Sequence, residues 1–315
     1  MQQLLSPKLV ALAIGVSESS LKRWCDRGAI GVEKTPGGHR KIRISEVARF
    51  LRDQKRTAVR PELIGLPAAL GRRMECEEAR EALGAALESG DQELCLGIVV
   101  GGYLAGAKLV DICCHLLAPT LCGIGSRWEC GELEVFQEHR ACEILNRVIY
   151  NLRTLAPGHD SDAPVAIGGA PGKDTSRLPS LMVELTLVES GWHAVTLGSE
   201  LPYASLRAAV ERYRPALVWL SLTHLECAEE GRRAFRDFAG TLPAGVPVAV
   251  GGRACDETFA EGLEQAHYMT SFQELAVFAA KLHASSAGST FASRGDSSES
   301  LCELIRRDAA SDTAG

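Results

Sequence analysis

The spacing of hydrophobic and polar positions changes three times along the 315 residues, and these changes predict three folded segments and a tail. Residues 1–60 carry short apolar groups at helical spacing, and residues 61–156 carry long ones. Residues 163–283 alternate short apolar runs with helical stretches, which is typical of an α/β fold. Residues 284–315 are rich in Ser, Ala and Gly, so we expect a disordered tail there.

The first segment begins with the signals of two short helices. Ser6 followed by Pro7 is typical of a capped helix start, and Gly15-Val16 predicts a tight turn after it. Ser17 is suited to cap a second helix, and Gly28 is a natural left-handed stop. Two short helices joined by a glycine-containing turn predict a helix-turn-helix.

A hairpin and a third helix are predicted next. Thr35–Ile42 contains a Pro-Gly-Gly turn between two strand-like runs, which predicts a wing. Ser45 is expected to cap a closing helix whose inward face holds Val47, Phe50 and Leu51. The segment is therefore predicted to be a winged helix-turn-helix.

Charge separates this segment from the rest of the chain. Residues 1–60 hold 13 Lys and Arg against 5 Asp and Glu, whereas the whole chain has a net charge of −6. Cations confined to one end favour a polyanionic partner, although chance clustering on a solvated surface is the alternative. The candidate DNA-binding residues on the second helix and the wing are Ser19, Ser20, Lys22, Arg23, Arg27, His39, Arg40 and Lys41.

Two stretches of this segment resemble the DNA-binding domain of the MerR superfamily and its excisionase-like relatives. Leu21-Lys22-Arg23-Trp24-Cys25-Asp26-Arg27-Gly28 matches the family's L-R-x-W-x-x-x-G pattern, and Thr35-Pro36-Gly37-Gly38-His39-Arg40 matches its wing. The resemblance implies a transcriptional regulator that binds double-stranded DNA.

The middle segment, residues 61–156, is predicted to be a helical bundle. Four apolar-periodic stretches predict its helices: Leu83–Leu87, Leu94–Leu109, Ile112–Leu121 and Glu138–Leu155. Trp128 precedes Glu138-His139 by ten positions. These residues are either an amphipathic helix start beside a core tryptophan or part of a ligand pocket.

The third segment, residues 163–283, alternates strands and helices with short links, which predicts a Rossmann-like, doubly wound parallel sheet. Its predicted strands and helices, in chain order, are Val165–Gly169, Leu181–Glu189, His193–Gly198, Tyr203–Tyr213, Ala216–Leu222, Glu229–Leu242 and Pro247–Gly251. Ligands of such sheets bind at the carboxyl ends of the strands. The loops after the four strands are therefore candidate ligand-binding loops.

This segment resembles the cobalamin-binding domain of methionine synthase and of the CarH/LitR-type regulators. The matching stretches are Glu189–Gly198, Leu201-Pro202, Leu220–Thr223 and Val248–Gly252. The family has a helical bundle over the corrin with a W-x9-E-H motif, whose spacing Trp128, Glu138 and His139 share. The resemblance implies cobalamin as the cofactor, control of self-association into a dimer or tetramer, and candidate cofactor-binding residues at Trp128, Glu138, His139, Ser176, Ser221, Thr223, Gly251 and Gly252.

One departure from the family's pattern concerns its D-x-H-x-x-G loop, whose His binds cobalt from below. Here the matching register is Asp174-Thr175-Ser176-Arg177-Leu178-Pro179, with Ser176 in place of His and Pro179 in place of Gly. A hydroxyl is a poor substitute for imidazole as a cobalt ligand. The sequence thus favours a degenerate module that drives oligomerisation or binds another molecule, and the alternative is cobalamin held without a protein His.

Other features bear on location and function class. The N-terminus lacks a signal-peptide pattern, and the longest apolar stretch, Leu94–Ala107, is short for a bilayer, so we expect a cytoplasmic protein without a membrane partner. The 11 cysteines are scattered, which favours buried thiols over a metal site. We expect a regulator and not an enzyme; the alternatives are a corrinoid-dependent methyl carrier and a partner-binding anti-repressor.

Overall fold

The computed structural model describes residues 4–68, 70 and 75–289, which form two compact units. Of the described residues, the first unit contains those up to Gly158 together with Leu181–Glu189, and the second contains His159–Ser180 and those from Ser190 to Ser289. The predicted tail lies outside the described residues from position 290. Its first six residues belong to a helix that ends at Ser289, so the tail boundary predicted at 284 is wrong.

The first two helices begin and end at the predicted residues. In α1 (Pro7–Ile14), the Ser6 hydroxyl accepts a hydrogen bond from the Leu9 N–H at 3.3 Å. In α2 (Glu18–Asp26), the Ser17 hydroxyl accepts one from the Ser20 N–H at 3.2 Å. Gly15 and Gly28 have φ values of 73° and 74° after these helices, the left-handed conformation that glycine adopts without strain. Both predicted caps and both stops are confirmed.

The wing is a three-stranded antiparallel sheet. β2 (Glu33–Lys34) and β3 (Arg40–Arg43) form the predicted hairpin, and β1 (Leu4–Leu5) pairs with the other edge of β3. In the turn, the Gly38 N–H donates to the Thr35 carbonyl at 2.8 Å. A two-residue strand such as β1 has no periodicity that a sequence pattern could reveal.

The third helix, α3 (Ile44–Asp53), is buried on more than one side. Val47, Phe50 and Leu51 are buried as predicted, and its contacts are with β3 and also with two bundle helices. The prediction that Ser45 caps it is wrong, because the helix starts one residue earlier, with Arg43 as the N-cap. Ser45 instead lies buried in the first turn.

Four long helices follow, as predicted. They are α4 (Cys76–Ser89), α5 (Gln92–Leu104), a helix of 21 residues at Leu109–Glu129 and α8 (Val135–Leu155). The third of them consists of α6 (Leu109–Ile112), a π-helical turn (Cys113–Leu117) and α7 (Ala118–Glu129). By length and apolar composition alone it could cross a bilayer, a test that core helices also pass, and α4, α5 and α8 pack around it. The predicted second helix is shorter than expected, because α5 ends at Leu104.

The second unit contains a parallel five-stranded sheet. Its strands are β4 (Val165–Gly169), β5 (His193–Thr196), β6 (Leu217–Ser221), β7 (Val248–Gly251) and β8 (Ala266–Met269), in the spatial order β5-β4-β6-β7-β8. The helices that follow the strands are α9 (Leu178–Glu189), which belongs to the first unit from Leu181 onward, α10 (Tyr203–Tyr213), α11 (Ala228–Ala239) and, after β8, α12 (Phe272–Ser289). The predicted doubly wound sheet is confirmed, although the sequence patterns did not reveal β8 and α12. The strand order reverses beside β4, so the loops after β4 and β6 lie at the position where such folds bind ligands.

The two serines that the sequence predicts as caps differ in their expected contribution to stability. We expect Ser17→Ala to lower the free energy of unfolding by about 1 kcal/mol, because the Ser20 N–H loses its acceptor. Ser45→Ala should have a smaller effect, because Ser45 makes no capping bond and alanine favours the helix. Urea denaturation of the two variants measures both effects, and an equal loss in the two would contradict this assignment.

Candidate DNA-binding surface and ligand-binding loops

The exposed face of α2 carries the predicted cations. Lys22 forms an ion pair with Glu18 at 3.2 Å in which both side chains are about half exposed, and Arg23 donates to the Ser20 hydroxyl at 3.3 Å. Arg27 and Ser19 are exposed as well. Exposed ion pairs of this kind are weak, so these cations are available to a polyanion.

Arg40 in the wing has a partner that the sequence did not indicate. Its guanidinium lies 2.7 Å from the Asp26 carboxylate at the end of α2, and its side chain is only 35% exposed. His39 is exposed at the tip of the turn, and Lys41 is half-buried on β3. Arg40 therefore ties the wing to α2, in addition to any contact with DNA.

Glu46 fixes the segment between α2 and the wing, a role that sequence patterns did not reveal. Its carboxylate accepts hydrogen bonds from Arg49 at 2.7 Å and from the Gly31 N–H at 2.8 Å, and Arg49 also donates to the Ala29 carbonyl at 3.2 Å. The bond from Arg49 is the main reason why the pKa of Glu46 lies below its ordinary value. The helix and the wing are thus held in a fixed relation by charged groups.

Trp128 is not a core tryptophan, which removes one of the two interpretations of the Trp128, Glu138 and His139 set. It is 43% exposed at the end of α7, and Val135 and Phe136 are exposed at the start of α8. An aromatic side chain in this position is available to a ligand or a partner.

Glu138 and His139 differ in their surroundings. The Glu138 carboxylate accepts a hydrogen bond from the Cys142 thiol at 3.1 Å, and burial together with this carboxylate raises the pKa of Cys142 to about 12. His139 lies 3.6 Å from the other Glu138 oxygen, with its side chain 74% exposed. His139 is therefore accessible, whereas Glu138 already has a partner.

In the second unit, the buried carboxylate of Asp174 joins two of the predicted ligand loops. Asp174 is 1% exposed and lies after β4. One of its oxygens accepts from the Ser176 N–H at 2.9 Å, and the other accepts from the Thr223 N–H and from the His224 N–H at 3.0 Å. The structure therefore brings the predicted residues Ser176 and Thr223 to one carboxylate, whose role the sequence patterns did not indicate.

The same loop is also joined to the loop after β5. The Glu200 N–H donates to the Asp174 carbonyl at 2.9 Å, and the Gly172 N–H donates to the Leu201 carbonyl at 3.0 Å. On the other side, Lys173 forms an exposed ion pair with Glu226 at 2.9 Å. The loop after β4 is thus braced by both neighbouring loops.

Two buried hydroxyls in this region have no hydrogen-bond partner. They are the Thr223 hydroxyl, after β6, and the Ser180 hydroxyl, in the first turn of α9. Ser221 is buried at the end of β6, and the Ser176 side chain is half-buried. Buried hydroxyls without partners are costly, so they fit a polar ligand group.

Gly251 and Gly252 have local structural reasons to be glycine. A Cβ atom at Gly251 would lie 2.6 Å from the Met269 carbonyl oxygen, and one at Gly252 would lie 2.3 Å from that of Leu222. Gly252 also has a φ of 120°, which other residues rarely adopt. The close approach of backbone segments therefore explains both glycines without a cofactor.

The described residues include no group of three or more His, Cys, Asp or Glu side chains that could hold a metal ion. Their cysteines are all free, and burial raises the pKa of Cys95 and Cys255 to about 12. Such thiols remain protonated at neutral pH.

Two family models match the chain. A helix-turn-helix domain matches residues 4–55, and a B12 binding domain matches residues 79–153. The first match covers the winged helix-turn-helix, which we call the DNA-binding head. The second covers the bundle from α4 to α8.

Two curated relatives combine the same modules. The chain is 28% identical over 267 residues to the HTH-type transcriptional repressor CarH of Myxococcus xanthus, which covers 78% of this chain and 88% of the relative. It is 30% identical over 148 residues to the repressor CarA of the same organism, covering 46% and 48%. The chain is similar to repressors of the CarH type in both modules. This type is consistent with the broader MerR superfamily, and the relatives are repressors, as expected for a regulator that is not an enzyme.

A solved structure is similar in fold to a large part of this chain. The monomethylamine corrinoid protein of Methanosarcina barkeri matches with a TM-score of 0.56 at 16% identity, covering 66% of this chain and all of that protein. At this identity the match concerns the fold alone. The two domain matches and the repressor relatives, by contrast, indicate a DNA-binding regulator with a cobalamin-binding-like module.

Arg23 and Asp26 give a matched test of the DNA-binding surface. We expect Arg23→Ala to weaken binding to a duplex selected by the wild-type chain, and to reduce the salt slope of binding by about one, without changing the melting temperature. Asp26→Ala should strengthen binding, because it removes an anion and frees Arg40. Fluorescence anisotropy over a range of salt concentrations measures both, and weaker binding by Asp26→Ala would show that Arg40 acts by holding the wing.

Proposed function

We propose that this regulator represses transcription by binding double-stranded DNA as an assembly of two or more copies, and that its C-terminal module sets that assembly. The carrying observation is the exposed cationic face of α2 next to the wing, with the segment between them held by Glu46. That both curated relatives are repressors supports repression. A chain that binds genomic DNA is expected in the cytoplasm.

Assembly matters because one small head makes few contacts with phosphates. Two or more heads on one operator raise each other's effective concentration, so the affinity of the assembly exceeds that of a single head. A ligand changes this affinity if it binds one assembly state better than another. The module then acts on DNA binding without touching DNA.

We propose further that position 176, which holds a serine, supplies no ligand to cobalt. The Asp174 carboxylate already accepts three N–H groups, so the loop is held without a ligand. The Ser176 hydroxyl is a poor ligand for cobalt. The module then works as an oligomerisation domain, either constitutively or with a different effector.

A second candidate is a corrinoid-responsive and light-responsive repressor that holds the corrin without a protein His. The match to a B12 binding domain and the partnerless hydroxyls of Thr223 and Ser180 favour it. Cobalamin, when bound, would supply a light-sensitive group. Ser176 and Thr223 in the second unit would contact it, and on the bundle Trp128 and His139 are accessible to a ligand.

Sedimentation tests the assembly proposal. We expect the full chain to sediment as a dimer or a larger species at micromolar concentration, and its gel shift on the duplex from its own upstream region to depend steeply on protein concentration. Both measurements are made with and without adenosylcobalamin, in the dark and in light. A monomer under all conditions would contradict the proposal, and a change with adenosylcobalamin would support the second candidate.

Ser176→His tests the ligand proposal. Cobinamide lacks the nucleotide base, so a nitrogen bound to its cobalt must come from the protein or the buffer. In a nitrogen-free buffer we expect the electron paramagnetic resonance spectrum of cob(II)inamide to show no nitrogen splitting with the wild type and to gain it with Ser176→His. Nitrogen splitting with the wild type would show that another residue supplies an imidazole.

A further inference from the structure

Both ends of one helix–helix corner in the first unit are held by charged side chains from distant parts of the chain. We define the α5–α6 corner as Tyr103–Val110, which includes the end of α5 and the start of α6. Helix ends expose backbone groups that have no partner within the helix. At this corner, Arg52 and Glu189 supply the partners.

Arg52 lies on α3, the closing helix of the DNA-binding head, and holds the end of α5. Its guanidinium donates to the Tyr103 carbonyl and to the Ala107 carbonyl, the latter at 2.8 Å. It also stacks over the Tyr103 ring at 4.0 Å from the ring centre. A cation at the carboxyl end of a helix is favoured by the helix dipole.

Glu189, the last residue of α9, holds the start of α6. One carboxylate oxygen accepts from the Leu109 N–H at 2.8 Å, and the other accepts from the Val110 N–H at 3.0 Å. An anion at the amino end of a helix is likewise favoured. These bonds span 80 and 79 positions of sequence, so no local pattern predicts them.

We propose that Arg52 and Glu189 are positioning residues for DNA binding: through the α5–α6 corner they couple α9 to the helix that closes the DNA-binding head. Four backbone groups of one short corner bind to these two side chains, so a shift at one end changes the geometry available to the other. Helix α9 starts directly after the loop that contains Asp174 and Ser176. The inference rests on the proposed function, because it couples the candidate ligand loop with Asp174 and Ser176 to DNA binding.

Glu184 provides a matched control on the same helix. It forms an ion pair with Arg153 on α8 at 3.0 Å and makes no contact with the corner among the bonds described. If α9 matters to the head only as a packed helix, Glu184→Ala and Glu189→Ala should act alike. If the α5–α6 corner couples α9 to α3, only Glu189→Ala should change amide hydrogen exchange in α3.

Amide hydrogen exchange of the full-length chain tests the coupling. We expect Glu189→Ala to raise exchange about tenfold at Leu109 and Val110, which lose a charged acceptor, and also in α3. Glu184→Ala should leave α3 unchanged, and Glu189→Gln, which keeps one acceptor oxygen, should lie between the wild type and Glu189→Ala. If Glu189→Ala does not fold, the comparison of Glu189→Gln with the wild type tests the coupling. Faster exchange confined to α6, or an equal rise over the whole chain, would overturn the coupling.

DNA affinity gives the functional result. With the duplex selected by the wild-type chain, Glu189→Ala and Arg52→Ala should each bind about tenfold more weakly with the salt slope unchanged, because no phosphate contact is lost. Unchanged or stronger binding would overturn the positioning role. If the wild type itself binds no DNA, the proposed function is wrong, while the exchange experiment still decides whether Glu189 acts on α3.

Discussion

The double burial of α3 is the constraint on which the first unit depends. Six of its ten residues are buried: Ile44, Ser45, Val47, Ala48, Phe50 and Leu51. A surface helix buries one stripe, whereas a helix buried more widely must pack against neighbours on several sides. Here β3 lies on the side of the head, and α5 and α8 are the neighbours in the bundle. The head therefore shares a core with the bundle and is not a separate domain on a flexible linker.

Local chemistry made the head predictable, whereas contacts distant in sequence did not. Ser6, Ser17, Gly15 and Gly28 act on backbone groups within three or four positions, and each was placed correctly from the sequence. The prediction that Ser45 is a cap was wrong because hydroxyl residues also occur inside helices, where packing decides their position. In the second unit, the strands with strong apolar runs were found, but the short run at Ala266–Met269 was not.

The candidate ligand loops could be located from the sequence, since a doubly wound sheet fixes which loops meet. How these loops are held depends on partners such as Asp174. The sequence placed Asp174 only by its alignment with the family's D-x-H-x-x-G loop. Its carboxylate is satisfied by three N–H groups of its own chain, so the loops can fold without an imidazole at position 176. A serine at position 176 is therefore compatible with a stable module, and Gly251 and Gly252 are necessary for the backbone alone.

Tyr103 shows why the corner between α5 and α6 depends on both of its charged partners. Burial raises the pKa of Tyr103, Arg52 lowers it and Glu189 raises it, so the ring lies within reach of both charges. Its hydroxyl donates to the Leu155 carbonyl at 3.4 Å, which joins the corner to the end of α8. A lysine at position 52 could not hold two carbonyls in one plane while stacking on the ring, because only guanidinium has that planar fork. The coupling therefore requires arginine specifically, and charge alone at position 52 is insufficient.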